Sequence, residues 1–380
     1  MKFLVLGAGK MGQVVCHDLL NQPSTSLVVA TDNNPRNLEL LTRRFPDRRL
    51  RTVQCDLTQH ERVIKLMRDA DACVGAAHYG FNLDFTKAAI ASGTHFCDMG
   101  GNNDVVRAQL AMDAPAKQAG ISVIPDCGLA PGMASVLVAW GLEKWAGVDA
   151  VKIRVGGLPQ NPQPPLNYTL LFSVEGLINE YVEPARLLRS GKIEIVEPLA
   201  DVETLRFPEP YGTVEAFTTS GGTSTLPETY GTRLKNLDYK TIRYPGHCAM
   251  MRALYELGFF SSETIRFQSG AVTPRELAAR LLVDHLPHEQ KDVTLVRIVF
   301  SGMDAGKPRT HELTIIDRYD EKLHITSMAR MTSFPSAIIA MMQADGRITK
   351  TGVFPQERGV PTQAFVDELT RRGIHIDGIA

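Results

Sequence analysis

Three glycines close to the start of the sequence have the spacing of a phosphate-binding turn. Gly7, Gly9 and Gly12 follow a short apolar segment and open an amphipathic one, which places them between a strand and a helix. In such a turn the first glycine permits the bend, the second lets the backbone approach a pyrophosphate, and the third allows close helix packing. Peptide N–H groups at the helix start attract the phosphates. We therefore expect a dinucleotide site here, which also includes Lys10 and Met11.

An acidic residue follows about 20 residues later, at the end of the second predicted strand. There the carboxylate of Asp32 is placed to accept hydrogen bonds from the ribose hydroxyls of a dinucleotide. The same negative charge repels the additional phosphate of NADP, so we expect NAD as the cofactor and NADP as the less favoured alternative. Arg36, one helical turn further on, is either a ligand of that phosphate or a solvated surface residue.

Further cofactor-binding candidates close the third and fourth predicted strands, at the edge where the ligands of parallel sheets lie. They are Asp56, Leu57, Ala76, Ala77 and Tyr79. We expect Asp56 and Leu57 to flank the adenine, and the two small alanines to leave room for the nicotinamide ribose. Asp56 has an equally simple alternative role, because it could cap the helix that is predicted from Gln59.

These residues belong to a regular alternation of strands and helices that extends to about residue 130. Short apolar strands are predicted at Lys2–Leu6, Leu27–Thr31, Arg51–Gln54, Ala72–Gly75, His95–Cys97 and Ser122–Ile124. Apolar residues at helical spacing predict helices at Lys10–Asn21, Pro35–Phe45, Gln59–Arg68, Asn82–Ser92 and Asp104–Gln118. Such alternation is typical of parallel strands joined by right-handed crossover helices. We predict an α/β fold in which residues 1–130 form a doubly wound Rossmann domain.

The pattern changes after Ala150, where strands and helices no longer alternate and Pro-rich loops separate them. Strands are predicted at Val151–Val155, Lys192–Val196, Val214–Thr218, Tyr239–Tyr244, Thr294–Ser301 and Glu312–Tyr319, and helices at Val174–Leu188, Ala249–Leu257 and Pro274–Val283. We predict that residues 131–334 form a second, α+β domain that binds the substrate and supports dimerisation. The C-terminal segment 335–380, which is helical at Pro335–Ile348, is expected to pack back on the Rossmann domain.

The composition narrows the class of protein. The 380 residues carry a formal net charge of -1 without a charged stripe, which argues against nucleic-acid binding. No apolar run approaches the ~20 residues that span a bilayer, and the apolar segment before Gly7 is too short for a signal peptide, so we expect a cytoplasmic protein without membrane contact. Cysteines lie apart, without metal-site spacing, so we expect free thiols and no metal, with Cys127 and Cys248 as candidates for a pocket lining.

Several segments resemble the saccharopine dehydrogenase-like family, in which a D-x-G-x-x-P-G turn ends the Rossmann domain. Asp126–Gly132 has this pattern. The segments Ala76–Asn82, Lys87–Ile90 and His95–Gly101 resemble the motifs around the fourth and fifth strands of the family. The resemblance extends over nearly the whole chain. Within the family, three segments are most similar to lysine 6-dehydrogenases: Val155–Pro159, Ser173–Tyr181 and Arg243–His247.

This resemblance implies NAD-dependent oxidative deamination of the ε-amine of L-lysine, which gives ammonia and allysine, an aldehyde that cyclises to a piperideine carboxylate. Saccharopine enzymes have a longer insertion and bind a glutamate moiety, for which this shorter chain offers less room. A saccharopine- or carboxynorspermidine-type dehydrogenase acting on a secondary amine remains the alternative. A catalytically silent NAD-binding regulatory protein is the alternative from another class. We expect a homodimer or a higher homo-oligomer, because the strands of the second domain are apolar.

Oxidation of a lysine amine requires a group that accepts a proton. Only the neutral amine can release a hydride from its carbon, and the pKa of a lysine side chain is about 10.4. His247 is the first candidate, because a histidine titrates near neutral pH. Asp126 and Glu175 are the alternatives. Glu175 could instead hold the substrate ammonium, or simply cap the helix predicted from Val174.

An amino-acid substrate also requires a cation for its α-carboxylate. Arg243 offers a planar fork that can bind a carboxylate through two hydrogen bonds, with a surface ion pair as the simpler alternative. Further substrate-binding candidates lie beside it or in the neighbouring motifs: Tyr244, Asn179, Thr223 and Ser224. The last two belong to the segment Ser220–Thr225, whose hydroxyl and N–H groups suit either a binding loop or a flexible turn.

Overall fold

The computed structural model describes residues 1–268, 270–287 and 291–379, and these residues form two compact units. The first unit contains Met1–Trp145 and Ala329–Ile374. The second unit contains Ala146–Met328 and residues 375–379. The first unit is therefore assembled from two stretches of chain that lie far apart in the sequence.

Strands and helices alternate through the N-terminal stretch of the first unit. They are β1 (Lys2–Leu6), α1 (Lys10–Leu20), β2 (Leu27–Asp32), α2 (Pro35–Arg44), β3 (Leu50–Gln54), α3 (His60–Met67), β4 (Ala72–Gly75), α4 (Asn82–Ser92), β5 (His95–Asp98), α5 (Asn103–Leu110), α6 (Asp113–Gln118), β6 (Ser122–Ile124) and α7 (Met133–Lys144). Local signals fix the boundaries. In α2, Pro35 occupies the first turn and the Asn34 side chain accepts a hydrogen bond from the backbone N–H of Arg36.

The second unit has longer strands and less regular connections. Its elements are β7 (Val148–Pro159), α8 (Val174–Val182), β8 (Ala185–Arg189), β9 (Lys192–Val196), β10 (Ala200–Arg206), β11 (Thr213–Thr218), α9 (Leu226–Tyr230), β12 (Asn236–Arg243), α10 (His247–Glu256), β13 (Ile265–Phe267), β14 (Gly270–Val272), α11 (Pro274–His285), β15 (Asp292–Asp304) and β16 (Lys307–Arg318). The chain then forms α12 (Ser327–Ala344), β17 (Gly352–Val353) and α13 (Thr362–Arg371).

The first unit, all of whose residues are described, is built on a seven-stranded parallel sheet with the order β17-β6-β5-β4-β1-β2-β3. The direction of strand addition reverses between β1 and β4, and ligands of such sheets bind at the carboxyl ends of the strands at this point. Leu6, Phe85, Phe96 and Val353 belong to one apolar core beside the sheet. The predicted Rossmann-type sheet is confirmed.

The C-terminal stretch completes the first unit. Gln343 Nε2 on α12 donates hydrogen bonds to the carbonyl oxygens of Phe96 at 3.1 Å and Ser122 at 3.0 Å. Arg372, after α13, forms an ion pair with Asp18 on α1, with 2.8 Å between Nε and Oδ1 and side chains only 4% and 3% exposed. The segment that returns to the first unit is 329–374, whereas residues 375–379 belong to the second unit.

The described residues of the second unit form a mixed sheet with the order β10-β11-β12-β7-β15-β16, and β8 and β9 attach at β12. Only β12 and β7 run parallel among these pairs. Successive side chains of a strand point to opposite faces, so Tyr239, Thr241 and Arg243 share one face of β12. Residues of α8 and α10, among them Tyr181 and Met251, pack in an apolar cluster with Phe217 of the sheet. This face carries the polar cluster described below.

Several boundaries differ from the sequence prediction. The helix predicted at Val174–Leu188 is too long, since α8 ends at Val182 and β8 follows. Pro184 explains the break, because proline disfavours helical geometry in the residue before it and donates no N–H. The helix predicted at Asp104–Gln118 consists of two helices, α5 and α6. The first compact unit extends to Trp145 and includes α7, which follows the predicted domain end at residue 130.

In the part of the chain that the structure describes, no helix is both long enough and apolar enough to cross a membrane.

Candidate active site

The turn between β1 and α1 shows why glycine is needed at two of its positions. Gly7 has a φ of 106°, and a Cβ on it would lie 2.7 Å from the carbonyl oxygen of Ala76. A Cβ on Gly12 would overlap the carbonyl oxygen of Gly7. Gly9 differs, because a Cβ there would meet nothing within 4 Å. The protein itself therefore does not require glycine at position 9, and the open space suits a group that approaches the backbone from outside.

The N-terminus of α1 faces this open space with its own donors. Gly9 is the N-cap residue, and no side chain caps the helix. The N–H groups of the first turn therefore keep the partial positive charge that favours a phosphate. Lys10 is exposed, and the carbonyl oxygen of Met11 accepts a hydrogen bond of 3.0 Å from Ser333 Oγ. The turn fits a pyrophosphate, which the N–H groups of Lys10, Met11 and Gly12 would hold.

Asp32 lies at the carboxyl end of β2 and is 9% exposed. Its Oδ2 accepts hydrogen bonds from the backbone N–H of Ala8 at 2.8 Å and from Asn37 Nδ2 at 3.2 Å, and its Oδ1 accepts one from the N–H of Asn34 at 2.8 Å. Each carboxylate oxygen accepts about two bonds, so one position remains on Oδ1. Asp32 thus stabilises the glycine turn and can still accept one further hydrogen bond from a hydroxyl group.

The candidates after β3 have different surroundings. Asp56 is exposed, and its Oδ1 accepts hydrogen bonds from the N–H of Thr58 at 3.0 Å and from its hydroxyl at 2.8 Å. The backbone bond holds the pKa of Asp56 below its ordinary value, and the hydroxyl bond adds to this. Asp56 does not cap α3, because the N-cap residue is Gln59 and no side chain bonds there. Leu57 packs against the apolar core of the first unit.

The candidates after β4 adjoin the glycine turn. The N–H of Ala76 donates a hydrogen bond of 2.8 Å to the carbonyl oxygen of Leu6, and Ala76 also contacts Gly7 as described above. Ala77 is half-buried. The ring of Tyr79 lies so close to Gly101 that a Cβ on this glycine would be 3.0 Å from it. Small residues are therefore needed around this end of the sheet.

Two acidic residues follow β5 and β6 at the same carboxyl edge. Asp98 is fully buried, and its carboxylate accepts hydrogen bonds from Gln109 Nε2 at 2.7 Å, the N–H of Gly100 at 2.7 Å and the N–H of Asp126 at 3.3 Å. Burial raises the pKa of Asp98 to about 6 despite these bonds. Sequence reasoning missed Asp98, although its place at the end of a strand, inside the motif His95–Gly101, was a usable signal.

Asp126 is 3% exposed and has a positive φ of 61°. Its carboxyl group lies directly against Gly100, where a Cβ would overlap it. Gln356 Nε2, from the C-terminal stretch, donates to the carbonyl oxygen of Asp126. The D-x-G-x-x-P-G turn therefore places an acid at the carboxyl edge of the first sheet, close to Asp98.

A second polar cluster lies on the covered face of the second sheet, around Arg243. The side chain of Arg243 is 4% exposed. Its Nε donates a hydrogen bond of 3.0 Å to Tyr181 Oη, and one terminal nitrogen donates to the carbonyl oxygen of Ile242 at 2.9 Å. The Tyr168 ring lies 4.7 Å from the guanidinium carbon, in cation–π contact. The second terminal nitrogen lies 3.6 Å from Glu180 Oε2.

His247 begins α10 and is 1% exposed. Its Nδ1 lies 3.0 Å from the carbonyl oxygen of Leu166, and its Nε2 lies 3.0 Å from Tyr181 Oη. A carbonyl only accepts, so Nδ1 donates to Leu166 and Nε2 accepts from the Tyr181 hydroxyl. Burial and the charge of Arg243 lower the pKa of His247 to about 3. Both ring nitrogens are thus used inside the protein, an arrangement that suits positioning better than proton transfer from a substrate.

Glu175 and Asn179 lie on another side of α8. Arg275 donates from its Nε and one terminal nitrogen to Glu175 Oε2, at 3.1 and 2.7 Å, and from that terminal nitrogen to Asn179 Oδ1 at 2.6 Å. Glu175 does not cap the helix, since Ser173 accepts the hydrogen bond from the N–H of Gly176. The structure therefore connects Glu175 and Asn179 to the start of α11 and not to Arg243.

The remaining substrate-binding candidates are also engaged within the second unit. Tyr244 Oη donates to the carbonyl oxygen of Pro159 at 2.9 Å. Thr223 Oγ1 donates to the carbonyl oxygen of Arg186 at 2.7 Å. Ser224 is buried, and its N–H donates to Gly221 at 2.9 Å in a tight turn. Only Arg243, of the residues proposed for substrate binding, belongs to the cluster with Glu180.

Family models decide the identity of the two units. Residues 3–124 match the model described as "Saccharopine dehydrogenase NADP binding domain", and residues 128–374 match "Saccharopine dehydrogenase C-terminal domain". The chain belongs to the saccharopine dehydrogenase family. The resemblance found in the sequence is confirmed at this level. For a member of this family, the glycine turn and Asp32 belong to a pyridine-nucleotide-binding domain, but neither comparison separates NAD from NADP.

Similar proteins differ in how much of their length they share with this family member. "Alpha-aminoadipic semialdehyde synthase, mitochondrial" from Bos taurus is 24% identical over 69% of this chain, but the match covers 29% of that protein. "Carboxyaminopropylagmatine dehydrogenase" from Synechocystis is 20% identical over 98% of this chain and 96% of that protein. This family member thus spans less than a third of the bovine protein and nearly all of the cyanobacterial one.

The solved structure of apo saccharopine dehydrogenase (L-Glu forming) from Saccharomyces cerevisiae has the same fold as this saccharopine dehydrogenase family member. The TM-score is 0.80 at 19% identity, with 99% of this chain and 98% of the yeast chain covered.

The cysteines do not bear on the family assignment. Cys127 and Cys248 are buried thiols, and burial raises the pKa of both. Within residues 1–268, 270–287 and 291–379, no group of three or more His, Cys, Asp or Glu side chains is placed to hold a metal ion.

Proposed function

We propose that this protein is a pyridine-nucleotide-dependent dehydrogenase that oxidises the ε-carbon of L-lysine and releases its ε-amine. L-Lysine, NAD and water would give allysine, ammonium, NADH and one proton. One observation carries the proposal. The glycine turn with its open space at Gly9 and the acidic residues Asp98 and Asp126 all lie at the carboxyl ends of parallel strands of the same sheet. The lysine-specific part rests on the similarity of Ser173–Tyr181 and Arg243–His247 to lysine 6-dehydrogenases.

The charge of Asp32 supports NAD as the cofactor. Its carboxylate keeps one acceptor position after three internal hydrogen bonds, which suits one ribose hydroxyl. A phosphate at that position would meet a fixed negative charge. Arg36 is exposed at the start of α2 and is the nearest alternative ligand for such a phosphate in the sequence. When bound, the nicotinamide supplies the acceptor for the hydride that leaves the ε-carbon.

We propose Asp126 as the group that takes the proton from the substrate ammonium. Asp126 belongs to the first unit, where it follows β6 and its N–H donates to Asp98, whereas His247 and Glu175 belong to the second unit. The neutral amine can then share its lone pair as the carbon is oxidised. Water attacks the resulting iminium carbon and loses one proton to solvent. The carboxyl then returns its proton to nitrogen, and ammonia leaves as the carbinolamine hydroxyl passes its proton to the same carboxylate.

The binding of the α-carboxylate is assigned to Arg243. Its fork is fixed by Tyr181, the Ile242 carbonyl and the Tyr168 ring, so little conformational freedom is lost when a carboxylate binds. A buried guanidinium also binds an anion more strongly than one in water, because the local dielectric constant is low.

The decisive experiment incubates the full chain with L-lysine and NAD and follows NADH absorbance together with free ammonia. Equal amounts of both products support the proposal. Saccharopine is tested in parallel, with glutamate as the assayed product. Glutamate release without ammonia, at a higher kcat/KM than lysine supports, would overturn it. Measurable NAD binding without turnover of any amine would instead select a regulatory protein that binds NAD.

A dehydrogenase acting on a secondary amine is the second candidate. The observation that favours it is the match with the Synechocystis protein, which covers nearly all of both chains. The name of that protein points to carboxyaminopropylagmatine, which therefore belongs in the same substrate panel.

A further inference from the structure

We propose that Glu180 receives the α-ammonium group of the substrate while Arg243 receives the α-carboxylate, so that the two side chains together recognise an amino-acid head group. The inference rests on the proposed function, because it names the part of that substrate which the second unit binds.

The first argument is the distance between the two charges. Glu180 Oε2 and the terminal nitrogen of Arg243 are 3.6 Å apart, beyond an ordinary hydrogen bond. Arg243 is held in place by Tyr181, Tyr168 and the backbone instead of by Glu180. Opposite charges are therefore kept side by side without saturating each other. An α-amino acid has its carboxylate and ammonium on one carbon, which is the complementary arrangement.

The second argument is accessibility. The side chain of Glu180 is 30% exposed, whereas that of Arg243 is 4% exposed. Burial nevertheless raises the pKa of Glu180 to about 7, against the opposing effect of Arg243. A carboxyl group that solvent reaches, but that protein surrounds closely enough to shift its titration, lies in a recess of the surface. An ammonium that enters such a recess stabilises the charged carboxylate.

The third argument is the division of α8 into two sides. Glu175 and Asn179 are one helical turn apart and both bind Arg275. Glu180 and Tyr181 lie next in the sequence and both approach Arg243. The acid assigned to the substrate ammonium from sequence was Glu175. The contacts transfer that role to Glu180.

The test compares L-lysine with 6-aminohexanoate, which has the same chain and carboxylate but no α-amine. In Glu180→Gln, kcat/KM for L-lysine should fall about 10- to 100-fold, because a charge-assisted hydrogen bond is lost, mainly through KM. The value for 6-aminohexanoate should remain that of the wild type. Glu180→Asp keeps the charge and should recover part of the loss. Glu256→Gln, which removes an exposed carboxylate paired with Arg252, is the matched control and should change neither value.

Equal losses on both substrates in Glu180→Gln, with an unchanged melting temperature, would overturn the inference. If Glu180→Gln does not fold, Glu180→Asp decides instead. Its ratio of kcat/KM for L-lysine to kcat/KM for 6-aminohexanoate should be lower than the wild-type ratio, and an unchanged ratio would overturn the inference. Absence of lysine turnover in the wild type would refute the proposed function alone. The same comparison would then use the amino acid that the enzyme does oxidise and its analogue without the α-amine.

Discussion

The two polar regions of this protein are built in opposite ways. The glycine turn of the first unit is made mainly of backbone, with six consecutive residues and an uncapped helix start, and the side chains of Asp32, Gln13 and Ser333 bond to its backbone. The cluster of the second unit is made of side chains that come from distant positions: Tyr168, Glu180, Tyr181, Arg243 and His247. The side-chain site depends on charge and proton placement throughout.

The largest effect is expected in the glycine turn. Replacing a glycine by alanine inside a helix usually stabilises the helix by about 1 kcal/mol. In Gly12→Ala, however, the new Cβ would overlap the Gly7 carbonyl oxygen. We expect a loss of more than about 4 kcal/mol in the free energy of unfolding, measured by urea denaturation. Gly9→Ala is the matched variant, in which the Cβ meets nothing. It should retain stability and lose dinucleotide binding by titration. Similar losses of stability in both variants would contradict the assignment of open space at Gly9.

A smaller but cumulative effect is expected from His247, whose pKa is lowered to about 3 when the chain is folded. Below about pH 6.5 the unfolded chain binds a proton that the folded chain does not, so the wild type loses stability as the pH falls towards 3. Within this range, each pH unit of acidification lowers the free energy of unfolding by about 1.4 kcal/mol. His247→Gln cannot titrate, and its free energy of unfolding should fall less steeply between pH 6.5 and 4. Parallel curves for the two proteins would show that His247 is not held neutral.

The next effect concerns substrate binding by Arg243. Lysine at position 243 keeps the charge but cannot bond to Tyr181, the Ile242 carbonyl and a carboxylate in the same geometry. Arg243→Lys should raise KM for L-lysine about 10²-fold and leave the dissociation constant of NAD unchanged. Cadaverine, which lacks the carboxylate, provides the control, and its kcat/KM should respond little. A wild-type enzyme that oxidises cadaverine as well as L-lysine would rule out a carboxylate anchor.

The smallest effect is expected from Asp32→Asn. Asparagine retains an oxygen that can accept the hydrogen bond from Ala8, so the turn should persist. The lost charge weakens the bond to the ribose, and we expect about a 10-fold rise in the dissociation constant for NAD. Binding of NADP should improve relative to NAD, because the repulsion is removed. Titration with both cofactors checks this, and an unchanged ratio of the two constants would assign cofactor choice to other residues.

The backbone site could be predicted from sequence because its parts are contiguous. The spacing of Gly7, Gly9 and Gly12 and the strand end at Asp32 specify a turn without knowledge of distant contacts, and the parallel sheet follows from the alternation around it. α7 escaped prediction because ten of its twelve residues are buried, so it lacks the polar face on which a periodic pattern depends.

The side-chain site was found only in part, for a related reason. The sequence pattern pointed to α8 and to the strand end at Arg243, which the structure brings together, but it could not say which side of the helix meets which partner. Glu175 faces Arg275, a residue 100 positions away, and Glu180 faces Arg243. Such pairings are set by the packing of α8 against α11 and the sheet. Local spacing does not encode them.

The ion pair between Arg372 and Asp18 joins residues 354 positions apart. On the ribosome, the strands and helices of residues 1–145 emerge long before the segment 329–374 that contributes β17, α12 and α13. Until that segment appears, β6 is an open sheet edge and the Asp18 carboxylate has no guanidinium beside it. The first unit therefore stays incomplete while residues 146–328 of the second unit are synthesised, and its early strands need protection from pairing with other chains during that interval.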